Sequence, residues 1–183
     1  MDHPWFAPGS PPVVLGIGRL TTQKDFPTLL KAFAQVRAVR KARLMILGEG
    51  RDRQALEVLA RELGVASDVD LPGFVLNPFP YMVRASLLVL SSAWEGLPGV
   101  LIEAMACGCP VVSTDCPSGP SEILDGGAYG PLVPVGDDGA LAKAILSVLE
   151  MPPDPERLRA RAALFSVERA TDQYLQVLLE LGG

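Results

Sequence analysis

The sequence predicts an α/β fold in which a parallel β-sheet carries helices on both faces. Short apolar runs alternate with amphipathic segments of helical period along most of the 183 residues. Almost continuously apolar strands are typical of parallel sheets that are buried on both faces. A composition of 49% hydrophobic and 20% charged residues is that of a globular chain, and the length suits one well-packed domain.

The predicted strands and helices follow a leader, residues 1–12, whose prolines indicate a linker. We assign strands to 13–18, 43–48, 69–75, 87–92, 110–114 and, at an edge of the sheet, 129–135. Helices are predicted at 26–39, 51–64, 77–85, 98–107, 118–124 and 137–150. Residues 13–150 therefore form the predicted sheet domain, and residues 151–183 add two C-terminal helices, 156–164 and 167–181.

The segment 91–119 carries two glutamates, Glu95 and Glu103, eight residues apart. Pro98 suits the first position of a helix, because its missing N–H would be unpaired there in any case. The N-terminus of that helix offers free N–H groups and a positive dipole, which bind anions. We expect the Glu103 carboxylate to lie among apolar neighbours, where it needs hydrogen-bond partners. A nucleotide sugar supplies both an anion and hydroxyl groups for the two carboxylates.

The segment GIGRLTTQK, residues 16–24, follows the first predicted strand. Gly18 allows a close approach of the backbone to a ligand, and Arg19 and Lys24 supply positive charge. Thr21 stands where a dinucleotide fingerprint needs its third glycine, so we do not expect an NAD site. Taken alone, the segment is more typical of a tight turn with solvated basic side chains. Together with the glutamate segment, it favours a clamp for a diphosphate.

The unusual residues follow four of the predicted strands directly. Parallel sheets bind ligands beyond the carboxyl ends of their strands, and those ends lie along one edge. The segments that we expect to meet there are 18–19, 48–50, 74–77 and 91–99. Their convergence predicts one ligand site better than any single motif does.

Charge and hydropathy argue against several other functions. A net charge of −5 does not favour nucleic acid, which needs basic patches. No apolar run approaches the roughly 20 residues of a membrane-spanning helix. Residues 1–12 lack the basic start and apolar centre of a signal peptide, so we expect a cytoplasmic protein.

The cysteines and the histidine do not suggest a metal site. Cys107, Cys109 and Cys116 are an odd number of thiols within a short window, which indicates free thiols in a reducing compartment. A zinc site would need a fourth ligand, and His3 lies far away in the leader. We therefore predict no metal.

Two separated segments, GRLTTQKDFPTLLKAF and EGLPGVLIEAMACGCPVVSTDCPSGPSEIL, resemble the donor-binding domain of family 4 glycosyltransferases. The resemblance extends from about Val13 to about Glu150. It implies a Rossmann-like parallel sheet that forms the C-terminal half of a GT-B enzyme. It also implies retaining transfer of a hexosyl or N-acetylhexosaminyl group from a nucleotide sugar, with UDP as the most frequent nucleotide in the family.

The resemblance also implies roles for individual residues. Arg19 and Lys24 would contact the donor diphosphate and stabilise charge on the leaving group. Glu95 would belong to this catalytic set and lie near the donor sugar; whether it does more than position the sugar stays open, and we do not assign it as a nucleophile. Glu103 would bind the ribose hydroxyls and Val75 the base through its backbone. The remaining donor-binding residues would be Gly18, Gly96, Leu97, Pro98 and Gly99, and no metal or other cofactor is implied.

Enzymes of this family hold the acceptor on an N-terminal domain that these residues do not match. We expect residues 151–183 to contact that domain, and the complete enzyme to transfer sugar to a glycan or lipid-linked acceptor, with peripheral membrane contact as one option. The chain alone is expected to bind the donor without turnover, because half a cleft cannot orient an acceptor. Two other classes stay open: a non-catalytic module that senses a nucleotide sugar, and a flavodoxin-like signalling or cofactor domain.

Overall fold

The computed structural model of the protein describes the backbone of residues 3–181 and the side chains of residues 3–171 and 175–177. Within that range, six strands form one sheet with the order β3-β2-β1-β4-β5-β6, and every pair of neighbours is parallel. The strands are β1 (Val13–Ile17), β2 (Arg43–Leu47), β3 (Val69–Gly73), β4 (Leu87–Leu90), β5 (Val111–Thr114) and β6 (Leu132–Val133). The predicted parallel sheet is therefore confirmed.

Helices cover the sheet on both faces, as the sequence predicted. They are α1 (Phe26–Val39), α2 (Arg53–Glu62), α3 (Phe79–Met82), α4 (Gly99–Ala106), α5 (Pro120–Ile123), α6 (Asp138–Glu150), α7 (Pro155–Ala162) and α8 (Val167–Leu181). Successive strand residues point to opposite faces, so Val14 packs under α1, α2 and α6 while Val13 and Leu15 pack under α4 and α7. The core thus consists of two apolar layers on either side of the sheet.

Local signals in the sequence explain where the longer helices begin. At α1, the Asp25 carboxylate accepts a hydrogen bond from the Thr28 hydroxyl at 2.7 Å, and Pro27 occupies the first turn. At α6, Asp137 accepts one from the Ala140 N–H at 2.8 Å. The predicted starts of these two helices, residues 26 and 137, therefore lie within one residue of the observed starts.

The leader packs against the sheet domain from His3 onward. Trp5 and Phe6 lie against the apolar layer under α4, and the Arg43 guanidinium lies 4.7 Å from the centre of the Trp5 ring. The imidazole Nε2 of His3 lies 3.1 Å from a carboxylate oxygen of Asp70 on β3. These contacts place the leader on the surface that carries the beginning of β2.

Several predicted strands were too long at their carboxyl ends. Residues 74–75 and 91–92 lie in loops, because Gly73 turns the chain with φ +94° and β4 ends at Leu90. The predicted strand 129–135 is reduced to the two residues of β6. The shorter strands matter for function, because Val75, Ser91 and Ser92 lie in the loops of the candidate site and not in the sheet.

Candidate functional site

The strand order creates a crevice between β1 and β4. The chain builds β1, β2 and β3 in one direction across the sheet, then returns to place β4, β5 and β6 on the other side of β1. The loops that follow β1 and β4 therefore diverge to opposite faces, and ligands of such sheets bind between them. These two loops hold most of the residues that the sequence singled out.

An ion pair joins the two loops. The ammonium Nζ of Lys24 donates to the carboxylate Oε1 of Glu95 at 2.6 Å. The pair is sheltered from water, since 18% of the Lys24 side chain and 8% of the Glu95 side chain are exposed. The hydroxyl of Ser92 donates to the same Oε1 atom, also at 2.6 Å. The structure thus brings together two residues that lie 71 positions apart in the sequence.

Three further hydrogen bonds connect the same loops. The Ala93 N–H donates to the Gln23 carbonyl at 2.8 Å, and the Gln23 side-chain amide donates to the Trp94 carbonyl at 3.1 Å. The Ser91 hydroxyl donates to the Lys24 carbonyl at 2.7 Å. The sequence analysis placed the segments 16–24 and 91–99 at the site but assigned no role to Gln23, Ser91 or Ser92. Two serines directly after a buried apolar strand were the available signal, because buried hydroxyls must find partners.

A cavity of about 510 Å³ opens beside this crevice, where β1, β2 and β3 end. Its walls are mostly apolar, with Arg19 and Glu49 as the charged residues. It is lined by Ile17, Gly18, Arg19, Leu47, Gly48, Glu49, Phe74, Val75 and Pro78. Gly18, Arg19 and Val75, for which the sequence predicted contacts with the donor, therefore share one cavity with Gly48 and Glu49 of the segment 48–50.

Glycines let the loops around the cavity touch each other. Gly48 has φ +145°, and a Cβ atom there would lie 1.9 Å from the carbonyl oxygen of Gly18. Gly119 has φ +89°, and a Cβ atom there would lie 2.4 Å from Cδ of Pro98 and 2.6 Å from the carbonyl oxygen of Gly96. No larger residue fits either contact, so backbone packing shapes this end of the sheet.

The segment between the two glutamates forms a loop followed by α4. The helix begins at Gly99, and Pro98 is its N-cap residue rather than the predicted first helical residue. Gly108 follows the helix end with φ +75°, as its position predicted. Leu97 is 62% exposed, and Gly96 and Gly99 are exposed as well. The loop therefore presents its backbone to solvent at the start of a helix.

The expectation that Glu103 lies among apolar neighbours was wrong. Its side chain is exposed, whereas Leu101, Ala104 and Met105 are buried on the opposite face of α4. Residues adjacent in sequence point away from one another on a helix, so apolar neighbours in the chain did not mean apolar surroundings. Among the described residues, no hydrogen bond or ion pair joins Glu103 to Lys24 or Glu95, and its carboxylate is open to solvent.

Two of the three thiols lie close enough to the glutamates to be affected by their charge, Cys107 by Glu103 and Cys116 by Glu95. Burial raises the pKa of Cys109 to about 12, and it also raises the pKa values of Cys107 and Cys116. In the part of the chain that the structure describes, these cysteines form no disulfide and no cluster of three metal-binding side chains occurs. Over the same residues, no helix has the length and apolar character needed to cross a membrane.

Comparisons with known proteins agree with this architecture. The sequence model of the family described as glycosyl transferases group 1 matches residues 2–165. Over 93% of the chain, the sequence is 36% identical to the lipopolysaccharide core biosynthesis glycosyltransferase LpsE of Rhizobium meliloti. Over 75% of the chain, it is 36% identical to an undecaprenol-linked glycan N-acetylgalactosaminyltransferase of Campylobacter jejuni. The chain spans only 51% and 37% of the lengths of these two proteins.

Solved structures show the same fold. The lipopolysaccharide outer core galactosyltransferase WaaB superposes on 95% of the chain with a TM-score of 0.85 and 27% identity. The alignment covers 50% of the WaaB chain. The predicted Rossmann-like sheet of a GT-B glycosyltransferase is confirmed by this match and by the strand order. With the family model matching most of its length, the chain belongs to the group 1 glycosyl transferases.

Proposed function

We propose that this chain holds the donor in a retaining glycosyltransferase that transfers a hexosyl or N-acetylhexosaminyl group from a nucleotide sugar. The observation that carries the proposal is the Lys24–Glu95 pair, sheltered in the β1/β4 crevice beside the apolar cavity. A cation and a carboxylate in the crevice, with an apolar pocket beside it, suit the diphosphate, the sugar and the base of such a donor. UDP is the proposed nucleotide, on the family resemblance.

The reaction that this arrangement suits breaks the bond between C1 of the sugar and the diphosphate oxygen. The electron pair stays on the departing nucleoside diphosphate, while C1 forms a bond to the oxygen of an acceptor hydroxyl on the same face and the proton of that hydroxyl passes to the departing diphosphate. Lys24 and the exposed Arg19 at the cavity would stabilise the charge that develops on the leaving group. Because cationic side chains would take this role, the proposal includes no metal and no other cofactor.

The other site residues surround that centre. The backbone of residues 96–99 would meet phosphate and sugar at the start of α4, where helix N–H groups favour anions. Val75, which lines the cavity, would bind the base through its backbone. Glu103 would accept hydrogen bonds from the ribose hydroxyls on the second turn of α4. Its exposure leaves the carboxylate free to do so.

We propose that the acceptor is a glycan or a lipid-linked glycan, held by a part of the protein that this chain does not include. The names of the Rhizobium and Campylobacter relatives, which act in lipopolysaccharide core and undecaprenol-linked glycan synthesis, support this class of acceptor. The chain alone would bind the donor but not transfer it, because half of a cleft cannot orient an acceptor or exclude water. A cytoplasmic location and peripheral membrane contact of the whole enzyme belong to the same proposal.

Calorimetric titration of the chain with UDP, GDP and ADP tests the donor site. We expect one nucleotide to bind, with affinity lost in Glu103→Ala and weakened in Lys24→Ala, since hydrogen bonds to charged groups contribute about 1.5–3 kcal/mol. Glu62→Ala, an exposed glutamate on α2, is the matched control and should bind as the parent does. Failure of a folded chain to bind any of the three nucleotides would contradict the proposal that it holds the donor by itself.

A further inference from the structure

The carboxylate of Glu95 is held on one side only. Its Oε1 atom accepts hydrogen bonds from both Lys24 Nζ and the Ser92 hydroxyl, each at 2.6 Å. A carboxylate oxygen offers two lone-pair positions, so these two donors fill Oε1. Among the side chains that the structure describes, no donor is bonded to the other oxygen, Oε2. A ligand hydroxyl can therefore reach this carboxylate through Oε2 alone.

We propose that Ser92 is a positioning residue for donor recognition, which holds Oε1 of Glu95 and thereby leaves Oε2 for a hydroxyl of the transferred sugar. The inference rests on the proposed function, since it assumes a nucleotide sugar in the crevice. It assigns the sugar contact to one atom of one side chain. It also adds a residue that does not touch the substrate but determines how Glu95 does.

Ser92 is well suited to this role because it is itself immobilised. The residue is fully buried, and its carbonyl oxygen accepts a hydrogen bond from the Thr114 hydroxyl at 2.6 Å. Thr114 belongs to β5 and is also fully buried. A serine hydroxyl carries one hydrogen, and here it is given to Glu95. The orientation of Glu95 thus depends on a chain of contacts that begins in the sheet.

Lys24 can serve the carboxylate and a diphosphate at the same time. An ammonium group has three N–H donors, and one of them is used on Glu95. Two remain for phosphate oxygens, so the ion pair need not break when the donor binds. Ser92 is then the only neutral group bonded to Glu95 among the described side chains, and its removal affects the carboxylate without altering the charge of the crevice.

The test separates binding of the nucleotide from binding of the sugar. The chain is titrated with UDP and with UDP-glucose, UDP-galactose and UDP-N-acetylglucosamine, and the ratio of the UDP Kd to the best nucleotide-sugar Kd is recorded. The variants are Ser92→Ala, Glu95→Ala and the double substitution. Ser113→Ala is the matched control, because Ser113 is a fully buried serine whose hydroxyl donates to the Thr114 carbonyl and not to Glu95.

We expect Ser92→Ala to reduce the ratio by about tenfold, the effect of losing a hydrogen bond that involves a charged group. In the Glu95→Ala background, Ser92→Ala should change the ratio no further, because the two residues act as one unit. Ser113→Ala should leave the ratio unchanged. If Ser92→Ala does not fold, Ser92→Cys keeps the size of the side chain with a weaker donor and should reduce the ratio less.

Three results would overturn the inference. One is an equal loss of UDP and nucleotide-sugar affinity in Ser92→Ala, which indicates general support of the loop. The second is a further fall of the ratio in the Glu95→Ala background, which shows that Ser92 does not act through Glu95. The third is a parent chain that binds UDP with no preference for any of the three sugars. A parent chain that binds none of the four compounds would instead contradict the proposed use of a UDP-linked donor, and this inference with it.

Discussion

The loop that carries Glu95 and the helix that carries Glu103 belong to one short segment, but they place their carboxylates in opposite environments. Glu95 is 8% exposed and already holds two donors, whereas Glu103 is exposed on the surface of α4. Hydrogen bonds from Lys24 and Ser92 thus compensate for the water that the Glu95 carboxylate loses on folding. Glu103 would lose its water only when a ligand arrives. Glu95 is therefore a preorganised group, whereas Glu103 is one that a ligand must order.

The largest effect on stability is expected at Gly48, where the loops after β1 and β2 touch each other beside the cavity. A Cβ atom at position 48 would lie 1.9 Å from the Gly18 carbonyl oxygen. We expect Gly48→Ala to lower the free energy of unfolding by about 3 kcal/mol, since backbone strain and overpacking add. Gly64→Ala is the control, because Gly64 has φ +70° but no atom within 4 Å of its Cβ position. It should cost about 1 kcal/mol. Urea denaturation measures both, and equal losses would show that the contact does not limit the fold.

The second-largest effect on stability is expected from breaking the ion pair between Lys24 and Glu95. We expect Lys24→Ala to lower the free energy of unfolding by about 2 kcal/mol, because it leaves the sheltered Glu95 charge with Ser92 as its remaining donor. Lys31→Ala, an exposed lysine on α1, should change it by less than about 0.5 kcal/mol. The same denaturation curves provide the measurement. Similar losses in the two variants would mean that the pair is no more than a surface salt bridge.

On α4, removal of the Glu103 carboxylate should leave the fold intact. We expect Glu103→Ala to change the free energy of unfolding by less than about 0.5 kcal/mol, because the side chain is exposed. Thermal denaturation of the parent and the variant gives this difference. A loss comparable to that of Lys24→Ala would indicate that Glu103 has partners within the protein, and the comparison between the two glutamates would fail.

The smallest expected effect uses Cys107 as a reporter of the Glu103 charge. Burial raises the pKa of Cys107, and the negative charge of Glu103 raises that pKa further. Glu103→Gln removes this charge, so the pKa of Cys107 should fall and its thiolate fraction at pH 8 should rise. Mass spectrometry of the Cys107 peptide should then show modestly faster carboxamidomethylation. An unchanged or slower rate would show that the Glu103 charge does not act on the thiol.

The longer elements and the segments of the candidate site were predicted from local patterns in the sequence. Helix α1 was predicted with its observed bounds, because residues 26–39 carry an apolar pattern of helical period. The four loops at the carboxyl ends of the first four strands were predicted to converge, since parallel strands end on the same side. The residues of such a pattern lie close together in the sequence, so the pattern can be recognised without knowledge of the fold.

The errors arose where side-chain environment depends on distant residues. The exposure of Glu103 was missed because apolar neighbours in the chain point to the other face of α4. The contribution of Ser92 was missed because its partner is oriented by Lys24, which approaches from the loop after β1. The Gly119 contact with the Gly96–Pro98 backbone was likewise invisible, since it joins the loops after β4 and β5.

The sequence by itself determined the alternation of strands and helices, the family, and the two segments that hold the candidate site. These properties depend on hydrophobic period, capping residues and short motifs, which are written along the chain. Only the tertiary structure decided that Glu95 is buried against Lys24 while Glu103 faces solvent. Burial and hydrogen bonding are properties of groups brought together by the sheet order, and a linear pattern does not contain those distances.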